Sequence, residues 1–151
     1  MTTQDSVRIF VRVGPADLAA WLAGEEVELA GRAAQAVTQR ARLALPQDDE
    51  EELEYAAMWW AAESPGTGRV VVAALDVPAG WVRAVGGEDP DRGFEVAVDA
   101  PLPRRRLVAL HVEETQEAEA AQGAQDAQGD LDGELSWYDA GELAQVAALD
   151  R

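Results

Sequence analysis

The sequence predicts a single α+β domain, with a mixed or mainly antiparallel sheet of about four to six strands packed against helices. Three observations lead to this prediction. The chain has 151 residues, the size of one ordinary domain, and 48% of them are hydrophobic, which is enough to fill a core. Several short stretches alternate with period two or are continuously apolar, as strands are. Stretches with helical spacing and capping residues lie between them, so helices and strands are interspersed along the chain.

The N-terminal part predicts a strand followed by helices. Residues 7–13, VRIFVRV, alternate between aliphatic side chains on one face and mostly polar ones on the other, which is typical of a half-buried strand. Pro15 suits the first turn of a helix, where its missing N–H needs no partner, and Gly24 is a suitable end. Residues 25–37 give no clear pattern. Thr38 predicts the N-cap of a short second helix.

Residues 48–63, DDEEELEYAAMWWAAE, predict a third helix with an acidic start. Asp48 or Asp49 can be its N-cap, because each has a glutamate three residues on, which is the spacing of a capping box. Acidic side chains in a first turn also interact favourably with the helix dipole. Since the carboxylates are spread around the helix, we interpret the run mainly as a helix start. Glu50 and Glu54, one turn apart, are the weak candidates for a metal site, and no cofactor is predicted.

The middle of the chain predicts the remaining strands of the sheet. Residues 69–75, RVVVAAL, and 107–112, LVALHV, are apolar on both sides, which indicates inner strands. Residues 94–98, FEVAV, alternate, and we expect one face of that strand to contact water. Residues 81–85 predict a further short strand.

The composition changes sharply after residue 112. We expect residues 1–112 to form the α+β core and residues 113–134, which are rich in Ala, Gln, Gly and acidic residues, to form a helix and a flexible linker. Large apolar residues return at 135–151. This segment is therefore expected to dock back on the core, with Trp137 as its anchor.

The charge of the chain limits its partners. The net charge is −17, and lysine is absent, which indicates a high-GC genome. A chain this acidic repels phosphate groups, and we therefore expect neither direct nucleic-acid binding nor membrane binding. Any partner is expected to be a protein with a basic or apolar surface. The three arginines at 104–106 are expected to pair with acidic side chains. Without cysteine, a signal peptide or a membrane span, the chain is expected to be cytoplasmic.

Three residues are weak catalytic candidates. His111 is the only histidine, so any histidine chemistry must use it, and period-two alternation places it on the face of its strand that carries Leu107 and Ala109. Asp76 and Asp99 follow strand patterns that we expect to be adjacent, which would bring the two carboxylates to one edge of the sheet. A structural histidine is the favoured interpretation, because no nucleophile motif accompanies it.

The aromatic residues of the third helix raise the question of a binding surface. Rotation by 100° per residue predicts that one side of the helix faces the core, with Leu53, Ala56, Ala57 and Trp60. The other side carries the predicted partner-binding residues: Trp59, Tyr55, Met58, Glu52 and Glu63. We expect the C-terminal segment around Trp137 to cover this side; if it is exposed, it is an interface.

Five stretches together resemble a known family. They occur in the order AQAVTQ, DDEEELEYAAM, RVVVAALDVP, ALHVEE and LSWYDAGEL. In this order they are similar to a family of small proteins from high-GC Gram-positive bacteria that is described as a domain of unknown function. The resemblance covers nearly the whole chain. It implies one compact intracellular domain and assigns no activity or site residue.

Three functions remain open at this point. The favoured hypothesis is a non-catalytic acidic domain for protein interaction or regulation. The alternative is an enzyme that uses carboxylates, with or without assistance from Mg²⁺. A weaker alternative is a mimic of nucleic-acid charge, which requires carboxylates arrayed on one face.

Overall fold

A computed structural model describes residues 6–29, 32–64, 69–85, 94–113 and 135–149 of the chain. Its strands are β1 (Ser6–Arg12), β2 (Ala34–Ala36), β3 (Val71–Pro78), β4 (Val82–Ala84), β5 (Glu95–Val98), β6 (Leu107–Glu113) and β7 (Leu135–Asp139). Its α-helices are α1 (Pro15–Leu22), α2 (Gln39–Ala44), α3 (Glu50–Ala62) and α4 (Leu143–Ala148). The predicted linker lies outside the described residues except for Glu113, which ends β6.

The strands form one sheet in the order β4-β5-β2-β1-β3-β6-β7, and every neighbouring pair is antiparallel. The predicted α+β class and antiparallel sheet are confirmed. Among the described residues the sheet has seven strands rather than four to six. The strand that the sequence did not predict is β2, which has three residues and lies in the region where periodicity gave no clear pattern.

Strand β1 contributes buried side chains to both faces of the sheet. Ile9 and Val11 belong to the core on the side of α1 and α4, as the alternation predicts. Phe10, between Arg8 and Arg12, is buried on the opposite side, where α3 covers the sheet. The second face of β1 is therefore not a simple water-exposed face. Helices cover both faces of the sheet, and β1 is buried between them.

Trp21 is the largest side chain in the core on the α1 side. It is 0% exposed, and its indole N–H donates a hydrogen bond of 2.9 Å to the backbone carbonyl of Leu102. Helix α4 packs beside α1 and contributes Leu143 and Val146 to the same core. The buried indole therefore satisfies its polar group while it fills the space between sheet and helices.

Helix α3 packs on the sheet through small residues. Ala57, Ala61 and Ala62 are buried against a cluster that includes Phe10 and Val72 of the sheet. Short side chains allow a helix backbone to approach a sheet closely, so the bulk of Phe10 fills the space that the alanines leave. In the part of the chain that is described, no helix is both long and apolar enough to cross a bilayer.

Candidate functional site

The two aspartate candidates are far apart in the sheet. Asp76 belongs to β3 and Asp99 follows β5, and strands β1 and β2 lie between those two strands. The expected adjacency of the two carboxylates is therefore wrong. Each one accepts hydrogen bonds from a different arginine: Asp76 from Arg8, with the shorter contact at 2.6 Å, and Asp99 from Arg83 at 3.1 Å. Each carboxylate is therefore held by its own arginine, and the two do not form one site.

Arg8 connects β1 electrostatically to its neighbours. The hydrogen bond to Asp76 is the largest influence on the guanidinium and raises its pKa, whereas burial lowers it. The negative charges of Asp76 and Glu54 raise the pKa further, and the net shift is upward. Glu54, one of the two weak metal candidates, therefore contributes to the field around an arginine of the sheet. The other candidate, Glu50, pairs with Arg42 of α2 at 3.0 Å.

His111 lies on the α3 side of β6. Its ring centroid is 6.5 Å from that of Phe10, and the two planes are tilted by 46°. Burial lowers the pKa of His111, and the positive charge of Arg8 lowers it further. The ring is therefore held in its neutral form more strongly than a free histidine, as expected of a structural residue against an aromatic neighbour.

A bulge in β6 changes which residues share a face with His111. The register between β3 and β6 shifts where Ala74 pairs with Ala109 and Leu75 pairs with Leu107. Ala109 is on the α3 side with His111, whereas Leu107 belongs to the core on the other side. The predicted common face of His111 and Leu107 is wrong, because one extra residue in a strand reverses the alternation beyond it.

The acidic start of α3 is a capping box. Asp49 is the N-cap: its carboxylate accepts the backbone N–H of Glu52 at 2.9 Å, and the Glu52 carboxylate accepts the N–H of Asp49 at 2.9 Å. This arrangement satisfies two amide groups that have no partner inside the helix. Within the described ranges, no three histidine, aspartate or glutamate side chains are grouped so that they could hold a metal ion.

The solvent side of α3 carries a group of aromatic residues. Tyr55 is 60% exposed, Trp60 is 41% exposed, and Trp59 is partly exposed. The rings of Tyr55 and Trp59 meet edge to face, with centroids 5.9 Å apart. Rotation by about 100° per residue places six side chains within an arc of about 140°. We call this arc the outer face of α3: Glu52, Tyr55, Ala56, Trp59, Trp60 and Glu63.

Two assignments on α3 are wrong. Trp60 was expected in the core and lies on the outer face, whereas Met58 was expected on the binding surface and is only 6% exposed. The buried stripe follows Leu53, Ala57 and Ala61, each one turn from the next, and is centred away from Trp60. The repeat of alanine and leucine at four-residue spacing was the signal that could have identified this stripe.

The C-terminal segment does not cover the outer face of α3. Strand β7 extends the sheet beside β6, and α4 buries Leu143 on the side opposite α3. Trp137, the expected anchor, is 62% exposed on the edge strand β7, next to His111 of β6. Leu143 and Val146 anchor this segment instead, because their side chains are the ones that enter the core.

The arginine run forms a 3₁₀ turn before β6. The guanidinium of Arg106 lies 5.4 Å from the ring centroid of Trp81, which is the geometry of a cation–π contact. Within the described residues, none of the arginines 104–106 forms an ion pair, so the expected pairing with acidic side chains is not found in this part of the chain. Arg106 is instead stabilised by the aromatic ring.

The comparison with protein families matches most of the chain to one family. Residues 7–147 match the family of unknown function DUF6912. The chain belongs to this family. The match spans the structure from β1 to α4, so the sheet and the helices that pack on both of its faces lie within the matched residues. No curated protein and no solved structure matches the chain.

Proposed function

We propose that the protein is a non-catalytic interaction or regulatory domain that binds another protein through the outer face of α3. The observation that carries the proposal is the exposure of Tyr55 and Trp60 beside Trp59. Aromatic side chains of this size are frequent anchors of interfaces, and their exposure on one helix leaves a large apolar surface in water. The carboxylates of Glu52 and Glu63 border this surface, which favours a partner that is both apolar and basic.

The positions of the catalytic candidates support the same proposal. Asp76 and Asp99 are held by different arginines on strands that are not neighbours, and His111 contacts Phe10. General acid–base chemistry needs its groups within reach of one substrate. The charge of −17 argues against a nucleic acid or an anionic membrane as the direct ligand. We also propose a cytoplasmic location, on the composition, and an origin in a high-GC Gram-positive bacterium, which the resemblance of the sequence to that family implies.

The test is capture of a partner from a native extract of the source organism, with the full chain as bait. The double variant Tyr55→Ser, Trp60→Ser removes two exposed rings of the outer face. The matched control is Trp137→Ser, which removes an even more exposed ring from β7. We expect the unchanged chain and the control to capture a stoichiometric protein that the double variant loses. A partner that survives the double substitution, or a monomer without any partner, contradicts the proposal.

A further inference from the structure

The two carboxylates of the outer face lie at its two ends. Glu52 is in the first turn of α3, and Glu63 is its C-cap residue. They are eleven residues apart, which corresponds to about 16 Å along the helix axis and to about three complete turns. Both side chains therefore leave the helix on the same side, with the rings of Tyr55, Trp59 and Trp60 between them. The Glu52 carboxylate turns toward the N-cap, where it accepts the N–H of Asp49.

Each of these two carboxylates can still accept hydrogen bonds from a cationic side chain. The described residues form four ion pairs, and neither Glu52 nor Glu63 takes part in them. One oxygen of Glu52 accepts the N–H of Asp49, and its other oxygen has lone pairs for a second donor. A partner surface that is only apolar would cover the exposed rings but would offer no hydrogen-bond donor to the carboxylates beside them.

Arginine is the side chain that matches this combination best. Its planar guanidinium stacks on aromatic rings and donates two parallel hydrogen bonds to a carboxylate. A lysine ammonium is a compact and strongly hydrated charge, so it gains less from a ring at an exposed site. The net charge of −17 attracts either cation over a longer range and does not distinguish them.

The spacing of the carboxylates favours a helical partner. Residues i and i+11 of an α-helix are also about 16 Å apart and on one side. An extended segment spans the same distance in about five residues, and side chains five apart point to opposite faces of a strand. Two arginines on one face of an extended segment are four or six residues apart, about 13 or 20 Å, so they match the spacing of the carboxylates less closely than residues i and i+11 of a helix.

We infer that the outer face of α3 binds a helical segment of its partner that carries two arginines eleven residues apart, with apolar residues between them. This inference rests on the proposed function and specifies the chemistry of the partner. The arginines pair with Glu52 and Glu63, and the apolar residues cover Tyr55 and the two tryptophans.

The test is calorimetric titration of the full chain with synthetic helical peptides, which serve as probes. One peptide carries arginines at i and i+11 around leucine and alanine; a second has lysines at the same positions. A third has the composition of the first but arginines at i and i+7, which also share one face and are too close together. We expect the first peptide to bind at least about two- to fivefold more tightly than the others, the factor that one exposed cation–π contact supplies.

A variant of the chain locates the effect. Glu63→Gln is expected to abolish the preference for the first peptide over the third, which depends on the spacing of the two carboxylates. The control Glu26→Gln, which removes an equal charge from an exposed loop position, is expected to preserve it. Equal binding of the three peptides, or binding of none, overturns the inference. The proposed function fails separately, if substitution of Tyr55 and Trp60 leaves partner capture unchanged.

Discussion

The capping box of α3 gives a sharp prediction, because the sequence offers two adjacent aspartates and the structure uses only one as the cap. Asp49→Ala removes the carboxylate that accepts the N–H of Glu52. Asp48→Ala removes the same charge from the preceding residue, which is not the N-cap. The effects of net charge and of the helix dipole are similar in the two variants, so their difference isolates the capping hydrogen bond.

The expected magnitude follows from the exposure of the cap. Replacement of an N-cap aspartate by alanine costs about 0.5–2 kcal/mol. Both hydrogen bonds of this box are exposed, so water can replace them in part, and we expect a loss of about 1 kcal/mol for Asp49→Ala. For a chain of this length, that loss lowers the Tm by about 2–4 °C. For Asp48→Ala we expect a change within about 0.5 kcal/mol.

Urea denaturation followed by circular dichroism measures both variants. The midpoint of Asp49→Ala should fall while its m value stays the same, because the surface exposed on unfolding does not change. If Asp48→Ala destabilises the protein as much as Asp49→Ala, the assignment of the cap is refuted. The substitution Glu52→Gln is a further check, since its amide oxygen can still accept the N–H of Asp49.

Three more predictions follow from the core and the sheet. Trp21→Phe loses the hydrogen bond to Leu102 and part of the ring volume, so the free energy of unfolding should fall by at least about 1 kcal/mol in urea; an unchanged midpoint contradicts this. The pKa of His111 is lowered in the folded state. As the pH falls below about 6.5, His111 is therefore protonated in the unfolded chain before it is protonated in the folded one. The neutral ring therefore contributes its full stability above that pH, and this contribution is lost as the pH falls. Between about pH 7 and 5, the Tm of His111→Gln should decrease less than the Tm of the unchanged chain. A double-mutant cycle on Arg8 and Asp76 should give a coupling of about 0.2–1 kcal/mol that decreases in about 1 M salt, because both side chains are partly exposed; a salt-independent coupling argues against a mainly electrostatic pair.

The sequence predicts the inner strands well because their patterns depend on burial alone. The alternation of residues 7–13 and the apolar runs at 69–75 and 107–112 correspond to β1, β3 and β6. The order of strands is different, because it depends on long-range pairing that no local pattern records. The expected adjacency of Asp76 and Asp99 failed for this reason.

The orientation of α3 was missed for a reason of size. Ranking residues by hydrophobicity places a tryptophan in the core, yet the sheet already presents the large ring of Phe10 to this helix. The space above Phe10 accepts alanines, so Trp60 is displaced to the surface. A sequence pattern contains the size of each residue but not the size of its eventual neighbour. Likewise the bulge in β6, which turns Leu107 away from His111, leaves no local signature.

The central position of β1 has a consequence for the order in which the fold can assemble. Strand β1 pairs with β2 and with β3, and the Arg8–Asp76 contact joins residues 68 positions apart in sequence. Chains with such distant contacts fold slowly, because closing a long loop costs entropy before the contact is gained. On the ribosome, β1 emerges before β2 and β3, so its apolar side chains and its backbone have no partner strand until those two strands have been synthesised. Until both neighbours have been synthesised, the unpaired strand β1 is therefore exposed to aggregation.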